Sequence, residues 1–147
     1  MSVEANFASA EVELVMHATE DRQKVLSVVE GVLGIKPEEF AVSSVRGHFG
    51  NEITILKANR NGKQATEIAY KIVGKMSDAD RMYMHENFDL YMDDKNSLYI
   101  RISKQKLFER RIVLSQADSL KIKLKTVRRF QPKTEMESYR KFLVQSD

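Results

Sequence analysis

The chain has 147 residues, 42% of them hydrophobic, with 24 Lys and Arg against 21 Asp and Glu for a net charge of +3, and no cysteine. One domain of that length buries about two thirds of its unfolded surface without a disulfide or metal, and zero cysteine excludes disulfides, thiol catalysis and cysteine-ligated zinc. No apolar run nears the ~20 residues of a membrane span, and the acidic start up to Glu11 is neither signal nor transit peptide, so a cytoplasmic protein is expected.

Val12, Leu14 and Met16 alternate with Glu11, Glu13 and Val15 in a first strand, after a flexible N-terminus over residues 1–10. Thr19-Glu20-Asp21 caps a helix with Val25, Leu26, Val28, Val29, Val32 and Leu33 as its apolar face, closed by Gly34. A second strand follows over Phe40 to Val45, Gly47 and Gly50 mark a turn, and Ile53, Ile55 and Ala58 lie on a third strand. Asn61-Gly62 leads into a second helix carrying Ala65, Ile68, Ala69, Ile72, Val73 and Met76. Ser77 to Asp80 cap a short helix, Asp93 to Asn96 make a turn, and Leu98, Ile100 and Ile102 form a fourth strand with Tyr99 and Arg101 on its other side. Two further strands are expected at Ile112 to Leu114 and Leu120 to Val127, then a helix opened by the capping box Thr134 to Glu137. The order predicts an α+β fold: one domain over residues 11–147, in two layers, with a single mixed, mostly antiparallel sheet and helices on one face.

Charge is unevenly placed. Residues 1–100 carry a net −5 and residues 101–147 a net +8, an asymmetry that points to a polyanionic partner such as RNA. In the last strand Lys121, Lys123 and Lys125 leave one face and Ile122 and Leu124 the other. Like charges about 7 Å apart on a strand repel unless something anionic meets them. The row is either an RNA-binding face or a solvated sheet face or edge guarded against aggregation. Arg101, Lys104, Gln105, Lys106, Arg110 and Arg111 continue the basic run, and the connection they form is expected to extend the lysine row, the two neutralising about four to six phosphates together.

Arg46-Gly47-His48-Phe49-Gly50-Asn51 has two readings. Its glycines let backbone approach a phosphate, with Arg46, His48 and Asn51 as hydrogen-bonding groups and Phe49 to stack on a base; otherwise it is a hairpin turn with Phe49 in the core. His17, His48 and His85 lack metal-ligand spacing, no nucleophile or phosphate-loop motif occurs, and neither catalysis, a metal nor a cofactor is expected. Met82, Tyr83, Met84, Phe88, Tyr91 and Met92 form a stretch that suits either a partner-binding surface or the core of a short helix.

Taken together, His17-Ala18-Thr19-Glu20-Asp21, Gly47-His48-Phe49-Gly50-Asn51 and Lys104-Gln105, in that order and separation, resemble a family of small archaeal proteins described as predicted RNA-binding proteins or exosome-associated subunits. The resemblance runs from about Glu11 to Arg129. It implies a fold like that of the large-subunit ribosomal protein that binds 5S rRNA, and a role in RNA processing or degradation, within a protein complex or alone. Glu52 stands where the family generally has proline and Arg110 where it has glycine, which adds charge and departs from an identical tight turn. The alternative is an assembly subunit that docks on another protein without touching RNA.

Overall fold

The structure, a computed structural model, describes residues 5–47, 50–127 and 132–144, with side chains of the last segment described from Met136. Strand β1 (Phe7–His17) buries Val12, Leu14 and Met16 while Glu11, Glu13 and Val15 face outward, as the alternation requires. It starts at Phe7, earlier than expected, because three groups from the helices tie its first residues down. Thr66 accepts the Phe7 N–H at 2.9 Å, the Tyr70 hydroxyl donates to the Ala5 carbonyl at 3.0 Å, and the Tyr139 hydroxyl donates to that of Asn6. Ala5 and Phe7 are buried.

Helix α1 (Arg22–Leu33) begins at Asp21, whose carboxylate accepts the Lys24 N–H at 3.2 Å, and ends at Gly34 in the left-handed conformation, φ 76°. A single 3-10 turn, Pro37–Glu39, precedes the hairpin of β2 (Ala41–Arg46) and β3 (Glu52–Asn61). Helix α2 (Gly62–Gly74) follows without a loop, since Gly62 at φ 57° reverses the chain where a side chain would be strained. Short helices α3 (Asp78–Glu86) and α4 (Phe88–Tyr91) lead to β4 (Ser97–Ser103). One turn, α5 (Lys104–Leu107), separates it from β5 (Ser119–Thr126), and α6 (Pro132–Phe142) starts ahead of the expected capping box.

The five strands form one sheet in the order β2-β3-β1-β5-β4, and every neighbouring pair is antiparallel. The α+β expectation holds, with helices over one face; the mixed sheet does not. Strands β1, β2 and β4 run the same way, but β3 and β5 sit between them, so no two parallel strands become neighbours. The strand expected at Ile112 to Leu114 is also absent. That segment makes only isolated bridges, Ile112 to Met76 and Leu114 to Ile102, because the turn at Arg110 and the loop from Ser115 leave it too short to form a ladder. The core lies between the sheet's inner face (Leu14, Leu56, Ile100, Ile122, Leu124) and the helices (Val29, Ile68, Ile72, Met84, Phe142).

Candidate nucleic-acid interface

Because each strand alternates, the sheet face turned away from the helices can be read rung by rung. One rung runs Ala41, Lys57, Glu13, Lys121, Arg101, and the next Asn59, Glu11, Lys123, Tyr99. A third holds Asn61, Ser9, Lys125 and Ser97. The lysine row therefore lies on the open face as expected, with Arg101 beside it. Its charge is met partly from within, since β1 places Glu13 opposite Lys121 and Glu11 opposite Lys123. Glu13 also pairs with Lys57 at 3.4 Å. Five cations thus share the face with two carboxylates, and Arg101, Lys121, Lys123 and Lys125 form no ion pair with a described residue.

Tyr99 stands at the centre of this positive field, with Lys121 Nζ 5.9 Å and Lys123 Nζ 5.8 Å from its ring centroid. Beside it, the backbone N–H groups of Ser97 (2.8 Å) and Lys95 (2.9 Å) donate to Asp93, and together with Tyr99 and Lys123 they hold that carboxyl below its ordinary range. Toward the other end the open face turns apolar, with Val15, Ile55, Ile53 and Val45 on neighbouring strands.

The remaining expected residues do not extend the row. Lys104 is the clearest correction, being buried at 3% exposure. Its ammonium donates to the Val15 carbonyl at 2.9 Å and to both Glu20 oxygens at 3.0 and 3.2 Å, and it pairs with Asp118 at 3.0 Å. Helix α5 starts immediately after β4 and turns this side chain inward, where the negative charge of Glu20 waits at the end of β1. Two of the three segments that carry the family resemblance meet in this contact. Lys106 and Arg111 share Glu109, at 3.3 and 3.8 Å, and Gln105 is exposed on α5, which packs on α1. Arg110 occupies the left-handed conformation at φ 62° that suits glycine, and its guanidinium lies against Gly31 of α1.

In the glycine loop, Arg46 and Asn51 are exposed, and His48 and Phe49 lie outside the described residues. Gly47 donates to the Asn51 carbonyl at 2.6 Å and Gly50 to that of Gly47 at 3.0 Å. Gly50 has φ 79° with open space where a Cβ would be, and Gly47 lies against Ile53. The loop sits at the same end of the sheet as His17 and Lys104. The Met and aromatic stretch is divided: Met84 and Phe88 are core, whereas Met82 and Tyr83 are exposed. Among the described residues no helix is long and apolar enough to cross a membrane, and no three acidic or histidine side chains could hold a metal.

Three contributors escaped the sequence reading. Lys57 was signalled only by the parity that also puts Ile53 and Ile55 outward. Glu11 and Glu13 were visible on the first strand, but nothing local says that β5 pairs with it.

The profile of a family described as RNA binding matches residues 9–126. The RNA-binding protein PAB1135 of Pyrococcus abyssi is 30% identical over 110 residues, covering 71% of each chain, and the uncharacterized protein MJ0213 of Methanocaldococcus jannaschii is 31% identical over 105 residues, covering 68% of this chain and 70% of its own. Among solved structures, protein AF2318 from Archaeoglobus fulgidus, of the DUF54 family, superposes with a TM-score of 0.77 at 25% identity, over 92% of this chain and 99% of its own. With the profile covering most of the chain and archaeal relatives matching at this level, the chain belongs to this RNA-binding family.

Proposed function

We propose that this protein is a non-catalytic RNA-binding protein whose open sheet face holds single-stranded RNA through its phosphates, as an accessory of archaeal RNA processing or degradation of the exosome-associated kind. The observation that carries the reading is the grouping of Arg101, Lys121, Lys123 and Lys125 on one face, without ion pairs to described residues, around Tyr99. Ammonium and guanidinium groups there contact phosphates without regard to sequence, while an aromatic ring offers a stacking surface to a base. The glycine loop adds Arg46 and Asn51 at the sheet's end as a second contact to the backbone, a role that the sequence extends to His48 and Phe49. Lys104 acts from inside, by fixing the loops around Glu20 and Asp118.

The four cations that form no ion pair with a described residue set the expected salt dependence. On single-stranded RNA the logarithm of affinity should fall against log salt with a slope of about −3, taking about 0.7 per phosphate. Fluorescence anisotropy with a labelled oligouridylate between low and moderate salt measures it. The triple variant K121A/K123A/K125A should keep its fold and reduce the slope to about −1. Unchanged affinity in that variant at low salt would refute the assignment. No binding by the folded wild type would favour a subunit that docks on protein instead, a role to which the exposed Met82, Tyr83 and Leu90 would lend themselves.

A further inference from the structure

The basic face ends at β4, an edge strand, and there the surface folds inward. A cleft of about 450 Å³ lies beyond it, lined by Tyr99 and Arg101 of β4, Leu90 and Tyr91 at the end of α4, and Leu114, Ser115 and Gln116 of the following loop. That volume falls within the roughly 300–1,000 Å³ of small-ligand sites. Its walls are of two kinds: aromatic and aliphatic side chains that can sandwich a flat ring, and an amide, a hydroxyl and a guanidinium that can bond a polar edge.

Tethers on either side of the cleft keep it open. The Asp93 N–H donates to the Ser97 carbonyl at 2.9 Å, the Ser115 N–H to that of Arg101 at 3.0 Å, and the Ser103 N–H to that of Val113 at 2.8 Å. In an antiparallel edge strand alternate residues turn their backbone groups outward. Between the tethers the outward-facing Tyr99 carbonyl and Arg101 N–H make no hydrogen bond to a described residue. A backbone acceptor and a backbone donor thus border a cavity with aromatic walls.

We propose that this cleft receives one unpaired nucleobase of the RNA whose phosphates lie on the lysine row. The inference rests on the RNA-binding reading above and adds to it a base-accepting site that the row alone does not require. Tyr99 links the two, because it borders the cleft and Lys121 and Lys123 stand over its ring. A strand of RNA crossing the row would reach the β4 edge with a base free to turn over it. The base would stack against Tyr99 or Tyr91, and Gln116, Ser115 and the free backbone groups would bond its edge.

The test compares an oligouridylate with an oligomer of abasic ribose phosphates of equal length and charge, each bound to wild type, to Tyr99→Leu and to the triple lysine variant. Wild type should bind the oligouridylate roughly 5- to 100-fold more tightly than the abasic oligomer. Tyr99→Leu should lose most of that difference, its affinity for the oligouridylate falling toward that for the abasic oligomer, and the triple lysine variant should weaken both oligomers together. Photocrosslinking of 5-iodouridine RNA to the wild type, mapped by mass spectrometry, should mark Tyr91 or Tyr99, which keeps the site testable if Tyr99→Leu fails to fold. Equal binding of both oligomers by wild type, or crosslinks only at residues away from the cleft, would overturn the base site and leave the phosphate-binding face standing. Failure of wild type to bind either oligomer would remove both.

Discussion

Replacing Lys104 by Met is expected to damage stability and to spare RNA binding, the reverse of what an exposed binding lysine would show. The ammonium has four oxygens within 3.2 Å, from Val15, Glu20 and Asp118, and only 4% of its side chain meets solvent. Breaking a fully buried ion pair costs about 3–5 kcal/mol, because the charge left behind is uncompensated. Here the partners are not equally buried. The side chain of Asp118 is 66% exposed and that of Glu20 25%, so water takes over Asp118 and much of Glu20. What remains is the Val15 carbonyl without its donor, a partly dehydrated Glu20 carboxylate, and a turn at Asp118 that loses an anchor while holding φ 42°. A loss of about 2–3 kcal/mol follows, which for a chain of this size lowers the melting temperature by about 5–10 °C.

Circular dichroism melts measure that shift, and a double-mutant cycle with Glu20→Gln should show coupling of more than about 1 kcal/mol. At a temperature where the variant is folded, its affinity for the oligouridylate should stay within about twofold of wild type, since the ammonium points away from the open face. A melting point within a degree of wild type, or a tenfold loss of affinity in folded protein, would refute the structural role assigned to Lys104.

Glu39 accepts hydrogen bonds from Arg60 at 3.1 and 3.2 Å, which hold its carboxyl below the ordinary 4.5. A lowered folded value means that this contribution is complete above about 4.5 and is lost as pH falls through the lowered value, so the gap in urea stability between wild type and Glu39→Gln should narrow in acid; a constant gap from pH 7 to pH 3 would contradict it. Gly50→Ala meets no atom but must hold φ 79°, so it should cost about 1–2 kcal/mol in chemical denaturation, whereas an unchanged midpoint would mean that the turn relaxes freely. Removing the two carboxylates that interrupt the basic face, with Glu11→Gln and Glu13→Gln together, should raise affinity for RNA by about 3- to 10-fold at low salt and steepen the salt slope as Lys57 is released; no gain in anisotropy titrations would place the RNA elsewhere.

What the sequence determined by itself was local. Alternation along Leu120 to Thr126 put the lysines on one face and Ile122 and Leu124 on the other, because successive side chains of any strand must point opposite ways. Asp21 and Gly34 bounded the first helix through capping chemistry that acts within a few residues. Tertiary structure decided which strands became neighbours, and with them the character of the site. Placing β5 between β1 and β4 put Glu11 and Glu13 across from Lys123 and Lys121, set Tyr99 beneath the lysines, and left the β4 edge to border a cleft with Leu90 and Gln116. The same docking turned Lys104 inward to a carboxylate 84 residues away in the chain. No local pattern marks it as different from Lys106. Periodicity is a property of the backbone over a few residues, whereas pairing order and burial are settled by competition among distant segments for one core, and a charge changes from a surface group to a buried strut according to which partner that competition delivers.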